Sequence, residues 1–180
     1  EILMIKVMKL PTQEYLKELF HYDPETGVFT RKINRGKAKV GDIAGTFSTT
    51  NDKNNNSLPK TYRSIGIDFK MYREHRLAWV YMTGSAPKEE IDHIDGDGTN
   101  NKWSNLREAT RSQNGMNRKV KHSTKSGYRG IWIRKNGNFA AEIIINKKKV
   151  GLGCYKTLQE ARAAYKAAAK LHFGIYANPS

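Results

Sequence analysis

The chain has 180 residues, 38% of them apolar and 10% aromatic, and carries a net charge of +15. That is enough apolar residue for one ordinary core or two small ones, which argues against wholesale disorder, and no apolar run approaches the roughly 20 residues that span a bilayer. A single cysteine, Cys154, excludes an internal disulfide and a Cys-rich zinc site and fits a reducing cytoplasm, while residues 1–6 lack the apolar stretch and cleavage site of a secretory leader and, with no initiator Met, read as a trimmed end.

In chain order, Thr12 caps a predicted helix over 13–20 with Leu16, Leu19 and Phe20 on one face. Tyr22-Asp23-Pro24-Glu25-Thr26-Gly27 is a turn and residues 28–30 a strand. Residues 34–60 are rich in Gly, Asn, Lys and Thr, and 49–57 read as a polar loop. Residues 62–69 alternate as a strand, and 71–82 read as a helix stopped by Gly84. A short strand over 91–94, a turn-rich loop over 95–101, a second strand over 105–109 and a helix over 111–119 follow. Thr110 with Gln113 makes a capping box for that helix. Residues 120–127 form a basic linker. Three strands (129–134, 138–145, 149–155) and a helix opened by the Thr157–Glu160 capping box and ended by Gly174 complete the chain. That helix has a small stripe of Leu158, Ala161, Ala164, Tyr165 and Ala168, which lets it sit close to a sheet.

The stretch Ile91-Asp92-His93-Ile94-Asp95-Gly96-Asp97, with Asn105 twelve residues past the histidine and Asn114 nine beyond that, has the spacing of a one-metal nuclease site. A phosphodiester resists attack because its charge repels nucleophiles and its 3′ oxygen leaves poorly. A divalent cation offsets the developing charge and a base takes the proton of the attacking water. Asp92 offers a hard carboxylate and Asn114 an amide oxygen, donors that suit Mg²⁺ or Mn²⁺. Neighbouring strand residues face opposite ways, so Asp92 and His93 can divide the work only where the strand twists or ends. Asp95 and Asp97 read as turn formers bonded to their own backbone. A calcium loop fails, because with Gly98 in sixth place the first and twelfth places hold His93 and Ser104.

Residues 75–118 closely resemble the HNH endonucleases of phages and mobile introns, on His75-Arg76-Leu77-Ala78-Trp79, Asp92 to Asp97, Asn100-Asn101, Asn105-Leu106-Arg107 and Gln113-Asn114. Tyr22 to Phe29 is similar to the lead-in of such phage proteins. The resemblance implies an α+β chain with a ββα-metal core. It makes His93 the general base, Asp92 and Asn114 the ligands of one Mg²⁺ or Mn²⁺ ion, and Asn105 the residue that positions the histidine loop. Asn114 in the last motif place, as in the intron-homing branch, favours magnesium over zinc or nickel.

From residue 118 onward fourteen Lys/Arg face two acids, a net of +12, whereas residues 1–117 carry +3. A polyanion is the natural partner of such a tail. Residues 126–178 resemble the plant ethylene-response-factor type of DNA-binding domain, on Ser126-Gly127-Tyr128-Arg129-Gly130, Phe139-Ala140-Ala141-Glu142-Ile143, Leu152-Gly153 and Glu160 to Tyr165. The resemblance implies a three-stranded sheet in the major groove with a helix behind it. Arg129, Arg134 and Glu142 match its DNA-contacting positions, while Trp132, Ile144 and Gly151 depart from the plant pattern. Lys147, Lys148 and Lys149, with Lys135, suit phosphate contacts.

The expected organisation is a β-rich lead-in (1–70), a nuclease core (71–119), a linker (120–127) and a DNA-binding domain (128–178). The expected function is metal-dependent cleavage of double-stranded DNA by a monomer or homodimer in the bacterial cytoplasm, encoded by a phage or mobile element, with nicking the simplest product. A non-catalytic DNA-binding regulator and an RNA-binding protein stay open as alternatives.

Overall fold

The computed structural model describes residues 10–50, 59–117 and 125–177. Residues 51–57 of the expected loop over 49–57, residues 118–119 of the expected helix and residues 120–124 of the expected linker lie outside the described residues. The fold is α+β, with four small antiparallel sheets and four α-helices among the described residues. No described helix is long and apolar enough to cross a membrane. The chain divides into two compact units, the described parts of which are 10–50 with 59–109, and 110–117 with 125–177.

In the first unit, α1 (Gln13–Leu19) begins at Thr12, whose hydroxyl accepts the Tyr15 N–H at 3.3 Å, and buries Leu16 and Leu19. A hairpin of β1 (Phe20–Asp23) and β2 (Val28–Arg31) follows. The sequence reading missed β1, because Phe20-His21-Tyr22 continues straight out of the helix without a breaker. A second sheet joins β3 (Thr46–Thr50), β4 (Lys60–Ile67) and β5 (Lys70–Arg73). Here the expectation of one strand to 69 and a helix from 71 is corrected. Asp68 and Phe69 take positive φ of 48° and 63° and turn the chain back, so α2 (Glu74–Thr83) starts three residues late. Neither residue is Gly or Asn, the usual sign of such a turn. β3 was also unread, hidden in a stretch that composition marks as loop.

Gly84 ends α2 at φ 74°. β6 (Glu90–His93) then pairs with β7 (Leu106–Ala109). Leu16, Phe20, Phe29, Ile65, Leu77, Ala78, Ile91 and Leu106 share one core, so the lead-in and the β6–β7 pair fold around the same apolar centre.

In the second unit, α3 (Arg111–Asn117) opens with the expected capping box. The Thr110 N–H bonds Gln113 Oε1 at 2.8 Å and the Gln113 N–H bonds Thr110 Oγ1 at 3.3 Å. β8 (Ile131–Ile133), β9 (Phe139–Ile145) and β10 (Lys148–Tyr155) form a meander, turned between β9 and β10 by Asn146 and Lys147 at positive φ. α4 (Leu158–Phe173) has the Thr157–Glu160 capping box. Its Ala161, Tyr165 and Ala169 are buried in small cores with Ile131, Ala141 and Ile143.

Candidate active site

Antiparallel register sets the first contact. Asp92 stands directly opposite Arg107, so their side chains share a face. Two guanidinium N–H groups, on Nη2 and Nε, donate to Asp92 Oδ2 at 2.7 and 3.0 Å. Asp92 is only 5% exposed, and a carboxylate so buried requires such a cation nearby. His93 follows as the last residue of β6, where the strand ends and the ring can leave the pleat.

The His93 ring lies within a buried polar chain. Its Nε2 is 3.0 Å from Asn101 Oδ1, and Asn101 Nδ2 donates to Glu74 Oε2 at 3.1 Å. Arg63 Nε donates to that same oxygen at 2.9 Å. Glu74 and Asn101 are almost wholly buried. Burial pushes the Glu74 carboxyl above its ordinary range, with Arg63 and Asn101 opposing. The His75 ring meets His93 edge-on at 4.9 Å. Burial, reinforced by the charges of His93, Arg76 and Arg73, lowers His75 to about 3, and its Nδ1 is buried without a hydrogen-bond partner. Burial also lowers His93 from its usual value, while Asn101 and the carboxylates of Asp95, Asp92 and Asp97 pull it part of the way back. Both imidazoles are therefore neutral at neutral pH, the form in which a histidine accepts a proton.

Asn105 ties down the loop between the strands. Its Oδ1 accepts the Asp95 N–H at 3.1 Å, and its Nδ2 donates to Asp95 Oδ1 at 3.0 Å and to the Asn100 carbonyl at 2.8 Å. Asp95 also accepts from the Asp97 N–H and from Asn100 Nδ2. Burial opposes its charge, but these bonds outweigh burial and hold the carboxyl below its ordinary range. Asp97 bonds the Thr99 N–H at 2.9 Å, the local turn chemistry read from the sequence.

The lead-in hairpin braces the same loop from outside. The Tyr22 hydroxyl donates to the Asn101 carbonyl at 2.7 Å, and the Trp103 N–H donates to the Pro24 carbonyl at 2.9 Å. Gly27, at φ 74°, packs so closely that a Cβ there would stand 2.3 Å from the Asn101 backbone carbon.

Asp92, His93 and Asn105 thus come together in the first unit, whereas Asn114 lies on α3 in the second. Among the described residues no group of three or more His, Cys, Asp or Glu could hold an ion. The chemistry of Asp92 and Asn114, a carboxylate and an amide oxygen, still fits a hard cation that keeps several waters and shares substrate phosphate oxygens. Arg63, Glu74, His75 and Asn101 escaped the sequence reading as site residues. Asn100-Asn101 looked like turn formers and His75-Arg76 only part of a match, while a Glu at a helix start signals a favourable dipole contact rather than burial.

In the second unit the Arg129 guanidinium donates to the Met116 carbonyl at 2.7 Å, so it is engaged at the end of α3. Trp132, Ile144 and Lys149 are exposed on the sheet face that alternates away from buried Ile131, Ala141 and Ile143. Glu142 shares this face and pairs with Lys149 at 3.7 Å. Arg134, Lys147 and Lys148 are exposed beside it.

Residues 72–116 match the family model of HNH endonucleases, the stretch that contains α2, β6 and β7. This is the class with which the fold and the Asp-His strand end agree. Two relatives extend the likeness. An uncharacterised HNH endonuclease of Acanthamoeba polyphaga mimivirus is 26% identical over 177 residues, covering 97% of this chain and 92% of that protein. Protein 3.8 of Escherichia phage T7 is 29% identical over 117 residues, covering 64% of this chain and 94% of that protein. No solved structure matches the chain.

Proposed function

We propose that the chain is a metal-dependent endonuclease that hydrolyses phosphodiester bonds of double-stranded DNA. The observation that carries this reading is a neutral, hydrogen-bonded His93 next to the Asp92 carboxylate, inside the stretch that matches the HNH endonuclease model. His93 takes the proton of the attacking water. The water oxygen bonds to phosphorus, the bond to the 3′ oxygen breaks, and 5′-phosphate and 3′-hydroxyl ends result. Asp92 and Asn114 are the residues to hold one Mg²⁺ or Mn²⁺ ion, which supplies charge for the phosphate and the leaving oxygen. Asn105 positions the loop that follows the histidine. Arg107 orients the Asp92 carboxylate through its two hydrogen bonds.

The tail unit holds the duplex. Arg134, Lys147, Lys148 and Lys149 suit phosphates, and Trp132 and Glu142 lie on the open sheet face that suits a groove. Arg129, matched to a DNA-contacting position, contributes through the end of α3. The reading extends to a nicking or homing enzyme of phage or mobile-element origin, acting in the bacterial cytoplasm as a monomer or homodimer. The test incubates supercoiled DNA carrying a cognate site with Mg²⁺ and compares wild type with His93→Ala. Relaxation by the wild type alone supports the proposal, and equal relaxation by both removes His93 from the mechanism. The alternative, a DNA-binding regulator with a decayed nuclease module, draws on the engagement of Asp92 by Arg107. It predicts DNA binding without cleavage under any divalent metal.

A further inference from the structure

Beyond the residues that the nuclease reading uses, a chain of three buried groups leads from His93 to Arg63. We infer that Asn101 is a positioning residue that fixes the His93 tautomer, with hydrogen on Nε2, and that Glu74 and Arg63 set the orientation of the Asn101 amide.

The direction of each bond follows from chemistry. Glu74 Oε2 accepts the Arg63 N–H at 2.9 Å, and a carboxylate oxygen paired with a guanidinium is an acceptor toward its other neighbour as well. The atom of Asn101 that faces it at 3.1 Å must therefore be a donor, the amide nitrogen. The amide oxygen then points at His93, 3.0 Å from Nε2. An amide oxygen only accepts, so Nε2 must carry the hydrogen. In the neutral ring the lone pair then sits on Nδ1.

The chain is rigid at each link. Asn101 is 1% exposed and Glu74 fully buried. The Asn101 backbone is held by the Tyr22 hydroxyl at 2.7 Å and pressed by Gly27. Arg63 is itself fixed by an Nη2 bond to the Ala44 carbonyl at 2.8 Å. A Cβ on Gly45 would stand 2.0 Å from Glu74 Oε1, so the carboxylate has a single seat. Such an arrangement resembles the outer partners that orient metal-bound histidines, where loss of the partner costs on the order of tenfold to a hundredfold in function.

The kinetic part of this inference rests on the proposed hydrolytic role of His93; the tautomer does not. Long-range ¹H–¹⁵N spectra of the full-length protein at neutral pH read the ring directly. Wild-type His93 is expected as the Nε2–H form, and an Nδ1–H form overturns the inference without any variant. Asn101→Ala should give mixed tautomers and lower kcat by roughly tenfold to a hundredfold, with KM within about twofold. The wild-type spectrum, which needs no variant, covers the case in which Asn101→Ala does not fold. An unchanged ring spectrum in folded Asn101→Ala overturns the inference. A wild type that never cuts DNA overturns the nuclease reading instead and leaves the spectrum to decide this one.

Discussion

Replacing Arg107 by Ala takes the cation from a carboxylate that is only 5% exposed. Breaking a buried pair in this way costs about 3 kcal/mol or more, so Arg107→Ala should lower the urea midpoint well below that of wild type. Removing both charges, as in Asp92→Asn with Arg107→Met, should recover much of that stability while abolishing cleavage. His75 gives a pH prediction of definite sign. Its folded value of about 3 lies below the ordinary 6.5, so as pH falls the unfolded chain takes up the proton first. The contribution of His75 is fully present above 6.5 and is lost as pH falls toward 3. His93, lowered by burial as well, adds in the same direction. Denaturation at successive pH values should show stability falling by a few kcal/mol across that interval. His75→Phe should flatten the fall by about one proton. A slope unchanged in that variant would show that His75 is protonated in the folded protein.

At the scale of elements, turns decided how much of the fold could be read. The capping boxes at Thr110 and Thr157, the Asn136-Gly137 turn and Gly84 follow strong local rules, and the helix ends they mark and the C-terminal meander appear where those rules put them. The β4–β5 turn broke its rule, because Asp68 and Phe69 adopt a left-handed conformation that side chains disfavour. Phe69 is fully exposed, so its ring offers little packing in return. Phe69→Gly should therefore raise stability by about 0.5–1 kcal/mol, visible as a higher Tm. A fall in Tm would show that the ring does make a stabilising contact. Thr157→Ala removes the hydroxyl that accepts the Glu160 N–H at 3.2 Å and should cost about 1 kcal/mol. Local hydrogen bonds of this kind are legible in four letters of sequence, whereas the Arg63–Glu74–Asn101–His93 chain joins three separate segments. Pattern alone singled out His93 and Asp92; it could not say which distant Glu would be buried beside them.

For the whole molecule, charge is the dominant property. Exposed Lys147, Lys148 and Lys149 lie in a tail of net +12. If each neutralises one phosphate, the triple Ala variant should lose about 2–3 units from the slope of log binding constant against log salt. The loss should be similar on unrelated sequences, since phosphates carry no base information. A slope equal to that of wild type would place these lysines off the DNA. Truncation before residue 120 should do more than weaken binding. It removes Arg129, whose guanidinium holds the Met116 carbonyl at the end of α3, the helix of Asn114.

The seating of Gly27 and Pro24 against residues 101–103 bears on how the proposed catalytic cassette could be transplanted. A graft that starts at the helix before the Asp-His strand would leave behind the tyrosine and the hairpin bend that clamp its loop. A donor fragment must reach back at least through the hairpin, to Phe20, for its histidine to arrive already aimed.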